Sequence, residues 1–511
     1  MKKVISLFIS IFILASSGLA AKSNQKQADE EILRTEPCEF KPIEFFDGQG
    51  KSIISKEELE SDIENLCYIL SVGYAGYDDM KARGFDVDSF SKSVHAEFDE
   101  KDEITSREFF KSLHKNLQPY INDAHFQLIN FGQQESLCQK KIVLWTDIFI
   151  EEKHGSLIVQ ESGETRVKSG AKYEGSKENL FFYPSRGSSI YRLGILTSQD
   201  IKAAAFTFST NGKKEEISVP LKNDGAIEIN GMKYKDFETE RTAYVTLNSF
   251  MIPPKDSTMR PGAEKAFEKY AKCGKKYNQK DTVILDLRQN GGGDPSIAML
   301  FLYCLWANYE PKNVSILAER LANWQNEEFF STESVYPPVA LQASFHLAKL
   351  IDEKTWIAEL GPKLNRMKEK PVREIRLQKA KEGKLFSKKP KFTGKLVILT
   401  DRNCVSAGEL TIILAKHIFG KANVTVIGEN TYGMASYWDL VTLKLPASGI
   451  GVHTAFKKPR IFNSWEQWQG EGSGIMPDWW ALGSDLNQTI YLITGDDEMK
   501  ARLENIDKRL M

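Results

Sequence analysis

Apolar residues follow three different rhythms along this 511-residue chain. From Ser55 to about Tyr120 they recur at helical spacing. Ile63, Leu66, Ile69 and Leu70 form one stripe, and Phe109, Phe110, Leu113 and Leu117 form another, with polar breaks near Gly84 and Asp99. Stripes of this kind mark helices that bury one face, so residues 55–130 are predicted to be a small helical domain. Between 140 and 240 the runs shorten, as in Ile142-Val143-Leu144-Trp145 and Leu157-Ile158-Val159, and polar turns separate them. There, Ala205 to Ser209 and Glu216 to Val219 flank Asn211-Gly212 and read as a hairpin in a β-rich module.

From residue 241 to 485 short, unbroken apolar runs alternate with helical patterns. The runs are Thr242 to Leu247, Val283 to Leu287, Lys395 to Thr400 and Val424 to Gly428; helices are expected near 261–277 and from Ser406 to Ile418. That alternation implies a largely parallel sheet covered by helices, and the chain as a whole is expected to be multidomain α/β. A charged, helix-prone stretch at 308–390 looks inserted in this core, and 486–511 is expected to be a C-terminal helix or tail. Length alone permits several domains with large cores.

The N-terminus changes the picture. Met1-Lys2-Lys3 is cationic, Val4 to Ala15 is apolar and Ser16 to Ala21 are mostly small. This is the layout of a secretory signal peptide over residues 1–20, and the apolar part is shorter than the roughly 20 residues a membrane span needs. No cysteine follows for a lipid anchor. Residues 21–54, polar and charged at first, are expected to be a tether. A periplasmic or extracellular location follows, without stable membrane insertion once the leader is removed.

Charge and cysteine content exclude some classes. The formal net charge is −1 and becomes −3 when Lys2 and Lys3 leave with the leader, so nucleic acid is not an expected partner. Six scattered cysteines show no metal-ligand spacing; Cys38 with Cys67 is one pairing open to an exported chain. No cofactor is implied.

The strand at 283–287 runs on through Arg288-Gln289-Asn290 into Gly291-Gly292-Gly293. Glycines at a strand end admit another backbone closely and free peptide N–H groups to cradle a phosphate or an oxyanion. No phosphate-loop pattern is present, and Asp294 would repel phosphate. Ser406 lies where a core strand meets a helix. It reads as an N-cap, with Glu409 completing a capping box, or as a nucleophile whose oxyanion would meet the N–H of Ala407. A nucleophilic serine needs a base. His125, in Asp123-Ala124-His125, is the candidate and His453 its rival. Glu471 is the candidate orienting carboxylate, with Glu466 as the alternative. Cys404, two residues before Ser406, is expected to pack beneath it.

Taken together, Asp123-Ala124-His125, the stretch Leu285 to Gly293, Ser406-Ala407-Gly408-Glu409 and Glu471 to Asp478 resemble, in order, four motifs of the C-terminal processing (tail-specific) protease superfamily. The resemblance covers most of residues 55–485. It implies a ClpP/crotonase-like β/α core over 241–485, a PDZ-like module at 140–240 and protein or peptide substrates; a homo-oligomer is compatible with the sequence. Two departures matter. Relatives with a Ser–Lys dyad carry lysine after the glycine of a T-x-G-K element, whereas here Thr431-Tyr432-Gly433 is followed by Met434. The resemblance is therefore to the tricorn-core branch, similar to the chlamydial protease-like activity factor, with Ser406, His125 and Glu471 as the triad. Gly292 and Ala407, with Gly291 beside them, are the expected oxyanion donors. Secondly, 140–240 lacks a glycine-rich carboxylate-binding loop, so the PDZ-like module is expected to be degenerate. The other reading is an inactive relative that binds peptides or a small apolar ligand in the same cleft.

Overall fold

The computed structural model describes residues 30–510 except 131, 225–234, 248, 251–260, 326–328, 352, 382–384, 387, 461–464 and 484. The predicted leader lies outside the described residues, and among these no helix is long and apolar enough to cross a membrane.

The apolar runs of the core build a six-stranded sheet in the order 237–238, 242–246, 282–286, 395–400, 424–428 and 479–480. All its pairings are parallel except the first. Strand alternation sends neighbouring residues to opposite faces. Val283, Leu285, Leu396, Ile398 and Val426 face one side, packed with helices Pro261–Lys276, Ser296–Ala307 and Ala407–Phe419. Tyr244, Ile284, Val397, Leu399 and Ile427 face the other, under the C-terminal helices Asp485–Thr494 and Asp497–Leu510. Both faces are buried, which is why these strands read as continuous apolar runs. Each fully buried Leu or Ile contributes about 1.5–3 kcal/mol, and truncating Leu285 or Ile398 to Ala should cost about 2–5 kcal/mol.

The helical stripes of residues 55–117 form as their spacing predicts. Helices Lys56–Tyr68 and Ser106–Leu117 open on capping boxes, Ser55 with Glu58 and Thr105 with Glu108. Their apolar faces pack with Leu440, Leu443 and Val452 of a second, antiparallel sheet. That sheet runs 30–37, 372–378, 332–336, 451–459, 438–444 and 44–45, and strand Gln127–Asn130 also pairs with 451–459.

Two expectations change here. The tether is a strand over Glu30–Pro37, paired with Val372–Gln378. Its side chains are mostly exposed, so backbone pairing and ion pairs such as Arg373–Glu36 at 3.0 Å hold it, and neither leaves an apolar signature. The inserted stretch is likewise not only helical. Alongside helices Val314–Trp324, Pro338–Ile351 and Glu353–Glu369 it supplies strands Thr332–Tyr336 and Val372–Gln378 to this sheet.

The β-rich module is a seven-stranded sheet over residues 142–220. Its hairpin pairs Ala203–Thr210 with Lys213–Pro220. Asn211 and Gly212 both take positive φ (50° and 79°), as a two-residue hairpin turn of the primed type requires. All six cysteines are free thiols.

Candidate active site

The serine arrives at the end of a buried strand. After Lys395–Thr400 the chain turns through Asp401, whose Oδ1 accepts the N–H groups of Gln289 and Asn403, each at 3.0 Å. Val405 N–H then donates to Asn290 O at 2.9 Å, stitching the serine loop to the glycine-rich turn. Ser406 follows with φ 52° and ψ −116°, a conformation that costs a non-glycine residue about 1–3 kcal/mol. Glu409 holds it there. Its Oε2 accepts the Ser406 N–H at 2.9 Å and the Met434 N–H at 2.8 Å, while Oε1 accepts the Gly433 N–H at 2.8 Å and the Thr431 hydroxyl. Glu409 is fully buried, and burial pushes its carboxyl up to about 7 against those hydrogen bonds. Gly408 is needed because a Cβ there would lie 2.8 Å from Cys404 Sγ. Cys404 is fully buried beside Gly408, with its thiol raised well above the ordinary value by burial.

The Ser406 hydroxyl meets the imidazole. His125 Nε2 lies 3.2 Å from Ser406 Oγ. The histidine sits in the turn between helix Ser106–Leu117 and strand Gln127–Asn130, only 5% exposed. The His125 backbone N–H donates to Asp123 Oδ1 at 2.8 Å, and Tyr74 OH donates to Asp123 Oδ2 at 3.0 Å. Burial, with a smaller contribution from His453, pushes the imidazole down to about 3, so it is neutral and able to take a proton. The rival His453 is bonded through Nδ1 to Thr442 Oγ1 at 2.8 Å.

Glu471 reaches this site differently from the expectation. Its carboxylate accepts three backbone N–H groups: Ala124 at 2.9 Å, Ala435 at 3.0 Å and Ser436 at 2.7 Å. His125 Nδ1 is buried with no hydrogen-bond partner among the described residues. Glu471 therefore fixes the chain beside His125 and makes no bond to the ring. Burial raises the carboxyls of both Glu471 and Asp123, and the negative charge of Glu471 raises Asp123 further. The alternative, Glu466, stays out of the site: its side chain is 84% exposed and pairs with Lys421 at 3.4 Å.

The glycine turn approaches closely, but its donors differ from those expected. A Cβ on Gly292 would stand 3.0 Å from Ser406 Cβ, and its φ is +77°. Its N–H, however, donates to Asn290 Oδ1 at 2.8 Å. Gly291 is exposed, whereas Gly293 and Ala407 line the cavity that holds Ser406 and His125. That cavity has a volume of about 90 Å³. Leu410, Tyr437, Trp438 and Leu440 give it apolar walls, and Asp439 and Lys457, paired at 2.7 Å, add a charged pair.

Sequence reasoning brought Ser406 and His125 together and missed others. Glu409 was visible only as a cap, although its spacing of three from Ser406 was the available signal. Asn290 was visible only as a neighbour of glycines. The cavity residues Gln325, Thr332 and Gln378 come from the inserted stretch and carried no signal.

The model of peptidase family S41 matches residues 241–480. No curated protein matches the chain. Among solved structures, mature CPAF complexed with lactacystin is 12% identical, covering 89% of this chain and 100% of its own, with a TM-score of 0.40. The photosystem II D1 C-terminal processing protease is 13% identical, covering 87% and 99%, with a TM-score of 0.31. A putative peptidase from Parabacteroides merdae is 15% identical, covering 89% and 96%, with a TM-score of 0.35. None of these structural likenesses is close enough to assign a residue's role. The chain is a serine peptidase. Residues 241–480 are similar to peptidase family S41, which supports the C-terminal processing protease superfamily.

Proposed function

We propose that this chain is an exported serine endopeptidase of the Ser–His–Glu branch, with Ser406 as nucleophile and His125 as base. The observation that carries this reading is the 3.2 Å approach of His125 Nε2 to Ser406 Oγ, at a helix N-terminus that lines a cavity. In this mechanism Ser406 Oγ attacks a peptide carbonyl as its proton passes to His125 Nε2. The imidazolium then gives that proton to the leaving amine, and water attack on the acyl-enzyme repeats the cycle. Ala407 N–H, at the first turn of the helix, has no intrahelical acceptor and is one oxyanion donor. Gly293, in the same cavity, supplies the second; Gly292 spaces the turn against Ser406. Glu471 is a positioning residue that acts through the Ala124 amide.

The same reading takes residues 241–485 as a ClpP/crotonase-like core with its insertion at 308–390. It takes 55–130 as a helical domain and 140–240 as a degenerate PDZ-like module. Residues 1–20 are a leader that delivers the enzyme to the periplasm or beyond. The parallel sheet and the missing carboxylate-binding loop support these assignments. A fluorophosphonate probe tests the site directly. Labelling of Ser406, found by mass spectrometry and lost in Ser406→Ala together with peptide hydrolysis, is the expected result. Hydrolysis that survives Ser406→Ala overturns the assignment.

A further inference from the structure

The inserted stretch contributes part of the cavity wall beside Ser406. Gln325 follows helix Val314–Trp324, Thr332 lies on the strand that comes next, and Gln378 ends strand Val372–Gln378. All three are uncharged hydrogen-bonding side chains, and Leu410 and Trp438 add apolar surface to the same cavity. Gln325 is only 5% exposed, and its Oε1 is buried without a hydrogen-bond partner among the described residues. A buried amide oxygen without a donor is costly, and the cost is recovered when a bound molecule brings one.

The charges on the wall are already engaged. Lys457 pairs with Asp439 at 2.7 Å, and Asp294 Oδ1 accepts the Ser296 N–H at 2.9 Å. A charged substrate side chain would lose its water here without gaining a counter-ion. A primary carboxamide offers a better match, because an N–H of one amide can meet the oxygen of the other in both directions.

We propose that Gln325 is a specificity-determining residue. In this proposal, which rests on Ser406 being the nucleophile, the wall seats a substrate glutamine or asparagine, its stem against Leu410 and Trp438 and its amide on Gln325.

The test maps cleavage sites in a library of peptides from a denatured proteome, using the full chain as wild type, Gln325→Met, Gln325→Glu and Ser406→Ala. Wild type is expected to enrich glutamine and asparagine about tenfold at one subsite over methionine and leucine. Gln325→Met is expected to erase that enrichment. Gln325→Glu is expected to gain lysine at the same subsite, a change that a misfolded variant cannot produce. Ser406-dependent cleavage with no carboxamide enrichment, or with the same enrichment in Gln325→Met, overturns this inference alone. Absence of Ser406-dependent cleavage overturns the nucleophile assignment and this inference with it.

Discussion

The carboxylate of Glu471 accepts the backbone N–H of Ala124 at 2.9 Å, one residue before the histidine that meets Ser406. Its other oxygen accepts the N–H groups of Ala435 and Ser436, so one buried acid ties the His125 turn to the segment after Met434. Glu471→Gln places an NH₂ group against at least one of those donors. The expected outcome is a fall of about 10²-fold or more in kcat with little change in KM, and a loss of about 1–3 kcal/mol in stability. Glu466→Gln, at an exposed ion pair, should stay within about 0.5 kcal/mol of wild type. Steady-state kinetics beside thermal melts of the two variants check both statements.

Ser406 is held at a φ of 52°. Glycine adopts such a conformation without a steric penalty. Ser406→Gly should therefore abolish hydrolysis yet melt higher than Ser406→Ala, by about 1 kcal/mol. Calorimetry on the two variants reads the difference; equal stability would mean that the serine is not strained.

The two nearest glycines should respond differently to a methyl group. Gly292→Ala brings its Cβ to 3.0 Å from Ser406 Cβ at a positive φ, whereas a Cβ on Gly291 meets nothing within 4 Å. Gly292→Ala is expected to lower kcat by about 10²-fold through displacement of the nucleophile, and Gly291→Ala to keep it within a few-fold. Similar losses in both would show that the turn as a whole, and not this contact, matters.

Two histidines give stability an acid slope. Burial lowers His125 to about 3 and His453 to about 4, from ordinary values near 6.5. Between those limits the unfolded chain binds protons that the folded chain does not, so stability is full above about 6.5 and falls as pH drops through the window. Each group contributes up to about 1.4 kcal/mol per pH unit. His125→Asn should flatten part of that slope in urea titrations at pH 4–7. In wild type, kcat/KM should hold below pH 6.5 where an ordinary imidazole would already be protonated. An acid limb centred near 6.5 would contradict the buried, neutral base.

Legibility in the sequence followed the physics of each element. The strands around Leu285 and Ile398 are buried on both faces, so composition alone revealed them, and the stripes of the helical domain were equally plain. Strands Glu30–Pro37 and Val372–Gln378 depend on pairing with each other and on ion pairs, which a one-dimensional pattern of charges does not display. The site divided the same way. Ser406 and His125 stand in recognisable local settings, whereas the bonds of Glu471 and Glu409 run to amides distant in sequence. Gly292, the donor its sequence setting suggests, gives its N–H to Asn290 Oδ1.

His125 and Ser406 are separated by 281 positions along the chain. In the proposed assignment the nucleophile and its base are thus distant in sequence and meet through the packed antiparallel sheet and its helices. A chain truncated before residue 406 has the histidine without the serine. Under the proposed assignment, proteolytic competence is acquired only with completion of the tertiary structure.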